Sequence, residues 1–271
     1  MISLLIGCLD VIFIISYSKC KLPIIGEIYT DTVYHMIKKI LRLIKTKIFR
    51  QEGNAGIDSF LTDMKSELEN FSTVFDIGAY QGHFVSQVLK AGTKIKIHVF
   101  EPFQESFSIL QSSFKGQQNV ILNKVAVSNT SKRSYLNVNS FKETNSLLDS
   151  ASIDHAIDAL TKTESVQAVD VICLDEYCHK NKILEIDLIK IDTQGNSYNV
   201  LLGLSGMLQL KKVKYLYVEA EFAEIYKDEK LFSEIELLMR DFGYSIVKLY
   251  NINYIDKKRL GWCDVLFSSQ I

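Results

Sequence analysis

The sequence predicts an α/β fold, a doubly wound and mostly parallel seven-strand sheet with an N-terminal helical arm. Three observations carry this. From residue 74 onward, short apolar β-branched runs alternate with amphipathic stretches of about a dozen residues, as strands alternate with crossover helices. The last two apolar runs are joined by Tyr250 to Gly261 without a helical pattern, which implies a hairpin and one antiparallel strand at the sheet edge. The 271 residues are 47% hydrophobic and 23% charged with two prolines, which suits one substantial core and excludes a disordered chain or a solenoid.

Residues 1–56 read as the arm and 57–271 as the main domain. In the arm, residues 2–18 are apolar apart from Asp10 and small polar groups, at the short limit for a span of about 30 Å. Val33, Ile37, Ile40, Ile44 and Ile48 then recur at helical spacing, with Lys38, Lys39, Arg42 and Lys45 on the other side. Such a basic amphipathic helix either packs on the sheet domain or lies on an anionic membrane surface. Cytoplasmic placement is expected, with peripheral membrane contact through residues 1–50 as the alternative.

In the main domain, strands are expected at Thr73 to Ile77, Ile95 to Phe100, Val120 to Val127, Asp187 to Ile191, Tyr215 to Glu219, Ser245 to Leu249 and Val265 to Ser268. Helices are expected over Gly82 to Lys90, Glu105 to Phe114, Tyr198 to Leu210 and Lys230 to Phe242, the last stopped by Gly243 in a left-handed cap. Residues 128–168 are rich in Ser, Asn and Thr, with one short strand candidate at Tyr135 to Val138. They read as an insertion or a long loop that carries acceptor contacts.

Charge and cysteine content exclude several classes. With 31 basic and 32 acidic side chains the net charge is −1, without the basic excess of a nucleic-acid binder. Residues 1–50 nevertheless hold eight Lys or Arg against Asp10, Glu27 and Asp31, so a basic arm precedes a mildly acidic body. Five cysteines lack CxxC pairs and matched histidines, so no metal site and no disulfide framework is signalled. Cys178 beside His179 invites a catalytic reading, yet adjacent residues on a helix point apart.

Two strand ends carry the chemistry. The first runs into Asp76, Gly78, Tyr80 and Gly82 as D-x-G-x-x-x-G, unlike the G-x-G-x-x-G of dinucleotide sites. An acid there repels a pyrophosphate and attracts an ammonium and a sulfonium, which implies S-adenosylmethionine. The second strand ends at Glu101, where a carboxylate can accept hydrogen bonds from both ribose hydroxyls. A third block, DLIKIDTQG, puts Leu188, Lys190 and Asp192 on one strand face, and its buried-type lysine needs a carboxylate partner such as Asp192 or Glu219.

The succession VFDIGAYQGHF, VFEPFQESFSIL, LIKIDTQGNSYNVLLG and YLYVEAEFAEIYKDEKLF resembles the FkbM family of S-adenosylmethionine-dependent methyltransferases over roughly residues 71–268. The resemblance implies a class I methyltransferase fold, Rossmann-like, and O-methylation of a hydroxyl on a sugar, glycan or related metabolite. Asp76, Gly78, Gly82, Glu101 and Asp192 sit on matching positions. Two residues depart from the pattern: Tyr80 stands where the family usually has Asn, and Ser197 replaces the acid that closes the block after the fourth strand.

For an alcohol acceptor the enzyme must orient the reactants and remove a proton. Asp192 is the first candidate base, followed by His83 at a helix start and Glu219 at a strand end. A catalytically inactive methyltransferase-like binding protein is the alternative, with a nucleotide-dependent oxidoreductase behind it. The acceptor's identity and the oligomeric state are left open by the sequence.

Overall fold

The computed structural model describes residues 54–91, 94–256 and 258–270. The apolar stretch 2–18, the basic helix expected over 33–50 and the rest of the arm up to residue 53 lie outside the described residues. Residues 54–63 form a helix, α1, that straddles the expected boundary at residue 56, and Lys65–Leu68 adds a short turn, α2. Phe60 on α1 is fully buried and stacks on Tyr217 with ring centroids 4.1 Å apart, so α1 is part of the sheet domain's core. No described helix is long and apolar enough to cross a membrane.

The main sheet contains β1 (Thr73–Ile77), β2 (Lys96–Phe100), β3 (Val120–Asn123), β7 (Ile186–Ile191), β8 (Val213–Glu221), β9 (Ser245–Tyr254) and β10 (Leu260–Ser268). Their order is β3-β2-β1-β7-β8-β10-β9. The first five run parallel, as their central strands' unbroken apolar runs require when both faces are covered. The antiparallel strand differs from expectation in position. β10 returns between β8 and β9 and pairs antiparallel with both, so it lies one strand in from the edge that β9 occupies.

Helices α3 (His83–Ala91), α4 (Gln104–Ser113), α6 (Leu174–Asn181) and α9 (Phe232–Asp241) flank this sheet. Gly243 caps α9 at φ +68° as the sequence predicts, its N–H reaching the Arg240 carbonyl at 2.7 Å. The helix expected over Tyr198 to Leu210 is broken into α7 (Ser197–Leu202) and α8 (Ser205–Gln209). The break falls at Gly203, where a Cβ would stand 2.3 Å from the Ser128 carbonyl oxygen.

The region 128–168 is the largest departure from expectation. It is an ordered subdomain, in which β5 (Lys132–Asn139), α5 (His155–Thr161) and β6 (Thr163–Ile172) follow in order. Together with β4 (Ala126–Val127), β5 and β6 build a second sheet of order β4-β6-β5. Leu136, Val138, Val169 and Val171 pack with Phe103 and Ala126 as its own small core. The run Val120 to Val127 therefore serves two sheets: Val120–Asn123 ends the main one, and Ala126–Val127 starts the second.

Candidate active site

Four of the expected site acids stand at the carboxyl ends of the parallel strands. Asp76 lies in β1, Glu101 just follows β2, Asp192 just follows β7, and Glu219 lies in β8. Chain order reverses between β1 and β7, the kind of crevice where open α/β sheets bind ligands. Strand register aligns the side chains: Asp76 pairs with Lys190, Lys190 with Tyr217, and Glu219 with Asp264.

Glu101 is held from two sides. Its Oε2 accepts the Tyr80 N–H and its Oε1 the Phe103 N–H, each at 2.8 Å. Burial pushes its carboxyl up to about 7, against the pull of these two backbone donors. Tyr80 meets the first of those bonds with φ at +48°, a left-handed conformation that Asn tolerates better than Tyr.

Lys190 is the cation of the cluster. Its Nζ stands 3.2 Å from Asp192 Oδ2 and 3.4 Å from Asp76 Oδ1, and it donates to the Gly78 carbonyl at 2.9 Å. Asp76 is wholly buried rather than at the mouth of the turn, and neither of its oxygens has a hydrogen-bond partner among the described residues. Burial raises its pKa while the Lys190 charge opposes the rise. Asp192 keeps 35% of its side chain exposed. Desolvation works against its charge, but Lys190 and hydrogen bonds from Gln194 and Glu219 outweigh it and hold the carboxyl below the usual range. Glu219 moves the opposite way, raised well above its usual value by burial and by the Asp192 charge.

Sequence reasoning gave no role to Gln194, Tyr226 or Asp264. Gln194 donates from Nε2 to Asp192 Oδ1 at 2.9 Å and to Glu219 Oε2 at 2.8 Å. The Tyr226 hydroxyl lies 2.8 Å from Gln194 Oε1. Asp264 accepts the Tyr217 hydroxyl at 2.9 Å on Oδ2. An acid inside the apolar run WCDVLF was a signal for Asp264; nothing local marked Tyr226.

His83 is not brought to this cluster. Its Nε2 lies 3.0 Å from Asp58 Oδ1 on α1, and among the described residues no hydrogen bond or ion pair joins it to Asp192 or Glu219. The glycines are also required by their neighbours. A Cβ on Gly78 would stand 1.7 Å from the Asp192 carbonyl oxygen, and one on Gly82 2.5 Å from Phe114. Ser197 opens α7 as a buried residue whose hydroxyl has no partner among the described residues. No group of His, Cys, Asp and Glu among the described residues could hold a metal ion.

The residues fit the cofactor that the sequence implies. Each Glu101 oxygen spends one lone pair on a backbone N–H and keeps another for a vicinal diol. Asp192, charged and part-exposed at the end of β7, is the kind of group that suits a sulfonium or an ammonium.

Comparison with known proteins agrees. The model of the methyltransferase FkbM domain matches residues 76–246. No curated protein sequence matches the chain. Among solved structures, the chain is similar to 1,6-didemethyltoxoflavin-N1-methyltransferase from Burkholderia thailandensis at 10% identity, covering 92% of each chain with a TM-score of 0.45. It is also similar to the fibrillarin pre-rRNA processing protein of Methanococcus jannaschii at 14% identity, covering 75% of this chain and 69% of that one with a TM-score of 0.42. Aeropyrum pernix fibrillarin, crystallised with S-adenosyl-L-methionine, matches at 12% identity over 72% and 66% with a TM-score of 0.40.

Proposed function

The chain belongs to the FkbM family of S-adenosylmethionine-dependent methyltransferases, and we propose that residues 57–271 transfer the methyl group to a hydroxyl of a sugar, glycan or related metabolite. Family membership displaces the oxidoreductase reading. The observation that carries the proposal is Asp192, a carboxylate held in its charged form and still reaching solvent at the end of β7.

When bound, the cofactor supplies a methyl group on a cationic sulfur. The chain's own residues do the rest. Glu101 engages the ribose diol, with its orientation fixed by the Tyr80 and Phe103 N–H groups. Asp76, Gly78, Tyr80 and Gly82 shape the turn that receives the cofactor, and Lys190 ties that turn to β7 through the Gly78 carbonyl. Asp192 accepts the acceptor's hydroxyl proton. Glu219 is less suited to that task because burial and the Asp192 charge push its carboxyl well above the usual range, and His83 is engaged with Asp58. Carboxylates accept hydrogen bonds from hydroxyls and repel phosphates, so a polyhydroxylated acceptor suits this crevice better than a nucleic acid.

The test is methyl transfer from labelled S-adenosylmethionine to a panel of mono- and disaccharide acceptors, comparing the wild type with Asp192→Asn. Loss of a base should lower turnover about 10²- to 10⁴-fold while cofactor affinity changes little. An Asp192→Asn enzyme with wild-type turnover, or a product methylated on nitrogen, would remove the reading.

A further inference from the structure

We propose that Gln194 is the positioning residue for Asp192, and that Tyr226 and the segment Thr144–Ser146, which follows β5, lock it in place. The inference rests on the reading of Asp192 as the base and adds what keeps that base charged and aimed.

Gln194 stands with φ at +54°, followed by Gly195 at +85°. A non-glycine residue holds a left-handed conformation at a cost, on the order of that of a minor backbone well, and does so when its surroundings over-determine it. Here they do. The Gln194 carbonyl accepts the Ser146 hydroxyl at 2.6 Å. The side-chain amide can face only one way: its NH₂ lies between two carboxyl oxygens, from Asp192 and Glu219, so its carbonyl oxygen faces Tyr226. The Tyr226 hydroxyl has a single proton and two acceptors in reach, Gln194 Oε1 at 2.8 Å and the Thr144 carbonyl at 3.1 Å. The shorter contact goes to Gln194. Tyr226 is itself fully buried, and Gly195 is needed beside it because a Cβ there would stand 2.8 Å from the tyrosine ring.

The charged groups around Asp192 come from every strand that packs against it: Asp76 on β1, Lys190 on β7, Glu219 and Glu221 on β8, and Asp264 on β10. Lys190 favours the charged form of Asp192, and the four acids disfavour it while they are ionised. Gln194 adds an uncharged donor on the oxygen that Lys190 does not reach, since the lysine pairs with Oδ2 and the amide with Oδ1. Two donors on two different oxygens fix the plane of the carboxylate. The Lys190 charge beside Asp192 favours that residue's ionised form, while burial and the Asp192 charge push Glu219 the other way.

The experiment is a pH titration of the side-chain carboxyl ¹³C signals in the full chain, comparing wild type, Gln194→Met and Tyr226→Phe, alongside methyl transfer from labelled S-adenosylmethionine to the same panel of mono- and disaccharides. Losing one hydrogen bond to a charged acceptor should move the Asp192 midpoint in Gln194→Met to higher pH by about one unit or more. Tyr226→Phe should move it in the same direction by less. Should Gln194→Met fail to fold, Tyr226→Phe, which removes one hydroxyl, decides the matter alone. An Asp192 midpoint equal to wild type in a folded variant overturns the proposal. A midpoint that moves while the acidic limb of the methyl-transfer rate stays put upholds the positioning of Asp192 and overturns its role as the base. A merely structural role for Gln194 would lower the melting temperature and leave the midpoint where it was.

Discussion

Lys190 donates to the main-chain carbonyl of Gly78 at 2.9 Å, so a cation near the carboxyl end of β7 fixes the turn that leaves β1. The same ammonium is within ion-pair distance of Asp76 and Asp192. One side chain thereby links the cofactor turn, the buried acid beneath it and the proposed base.

Replacing Lys190 by Met should first cost stability. Removing one partner of a buried ion pair strands the other, which typically costs about 3 to 5 kcal/mol. Part of that cost is relieved because Asp76, already raised by burial, can take up a proton. A drop of about 6 °C or more in thermal melting is expected for a domain of this size, and Asp76→Asn in the same chain should recover part of it. Melting equal to wild type would show that the pair contributes nothing.

Glu101→Ala should weaken S-adenosylmethionine by about tenfold or more, since each hydrogen bond to a charged acceptor is worth roughly 1.5 to 3 kcal/mol. The pH dependence is more specific. With its carboxyl at about 7 in the free protein, Glu101 is neutral on the acid side and charged on the basic side. Affinity measured by calorimetry should rise as pH passes through that value, and this rise should be absent in Glu101→Gln. An identical pH profile in the two proteins would disconnect Glu101 from the cofactor.

The strands and the acids at strand ends were legible because each is a local pattern: an apolar run, a glycine turn, a carboxylate where the run stops. Asp76 and Glu101 could be placed on consecutive strands, and Lys190 with Asp192 on one face of a later strand; that this strand lies beside β1 is set by the sheet topology. What escaped was set by partners far along the chain. Gln194 acquires its role from Tyr226 and Ser146, separated from it by 32 and 48 positions. The second sheet escaped because its strands pair across 24 to 45 positions and bury only alternate small-sheet residues, so its Ser, Asn and Thr content reads as loop. His83 was placed by the general preference for a neutral imidazole at a helix start, and Asp58 on α1, whose position no spacing rule gives, turned it elsewhere.

Asp264 offers a test of the site's electrostatics that needs neither cofactor nor acceptor. It sits in β10 opposite Glu219, only 8% exposed, with the Tyr217 hydroxyl on Oδ2. Burial, reinforced by the Asp192 charge, raises its carboxyl from 3.8 to about 7. The folded state therefore binds more protons than the unfolded state between those values, and stability from this group is lost as pH rises through that window, the reverse of a salt-bridged acid. Across three pH units the loss is on the order of 4 kcal/mol. Asp264→Asn keeps an acceptor for Tyr217 but cannot ionise. The melting-temperature difference between Asp264→Asn and wild type should be near zero at about pH 4 and should grow in favour of the variant up to about pH 8, by roughly 8 °C or more. Glu101 and Glu229 also titrate near 7, but they do so in both proteins and cancel in the difference. A difference that stays flat with pH would mean that Asp264 is charged throughout, held so by Lys190, and that the negative potential of the crevice is present in the free protein over the whole range.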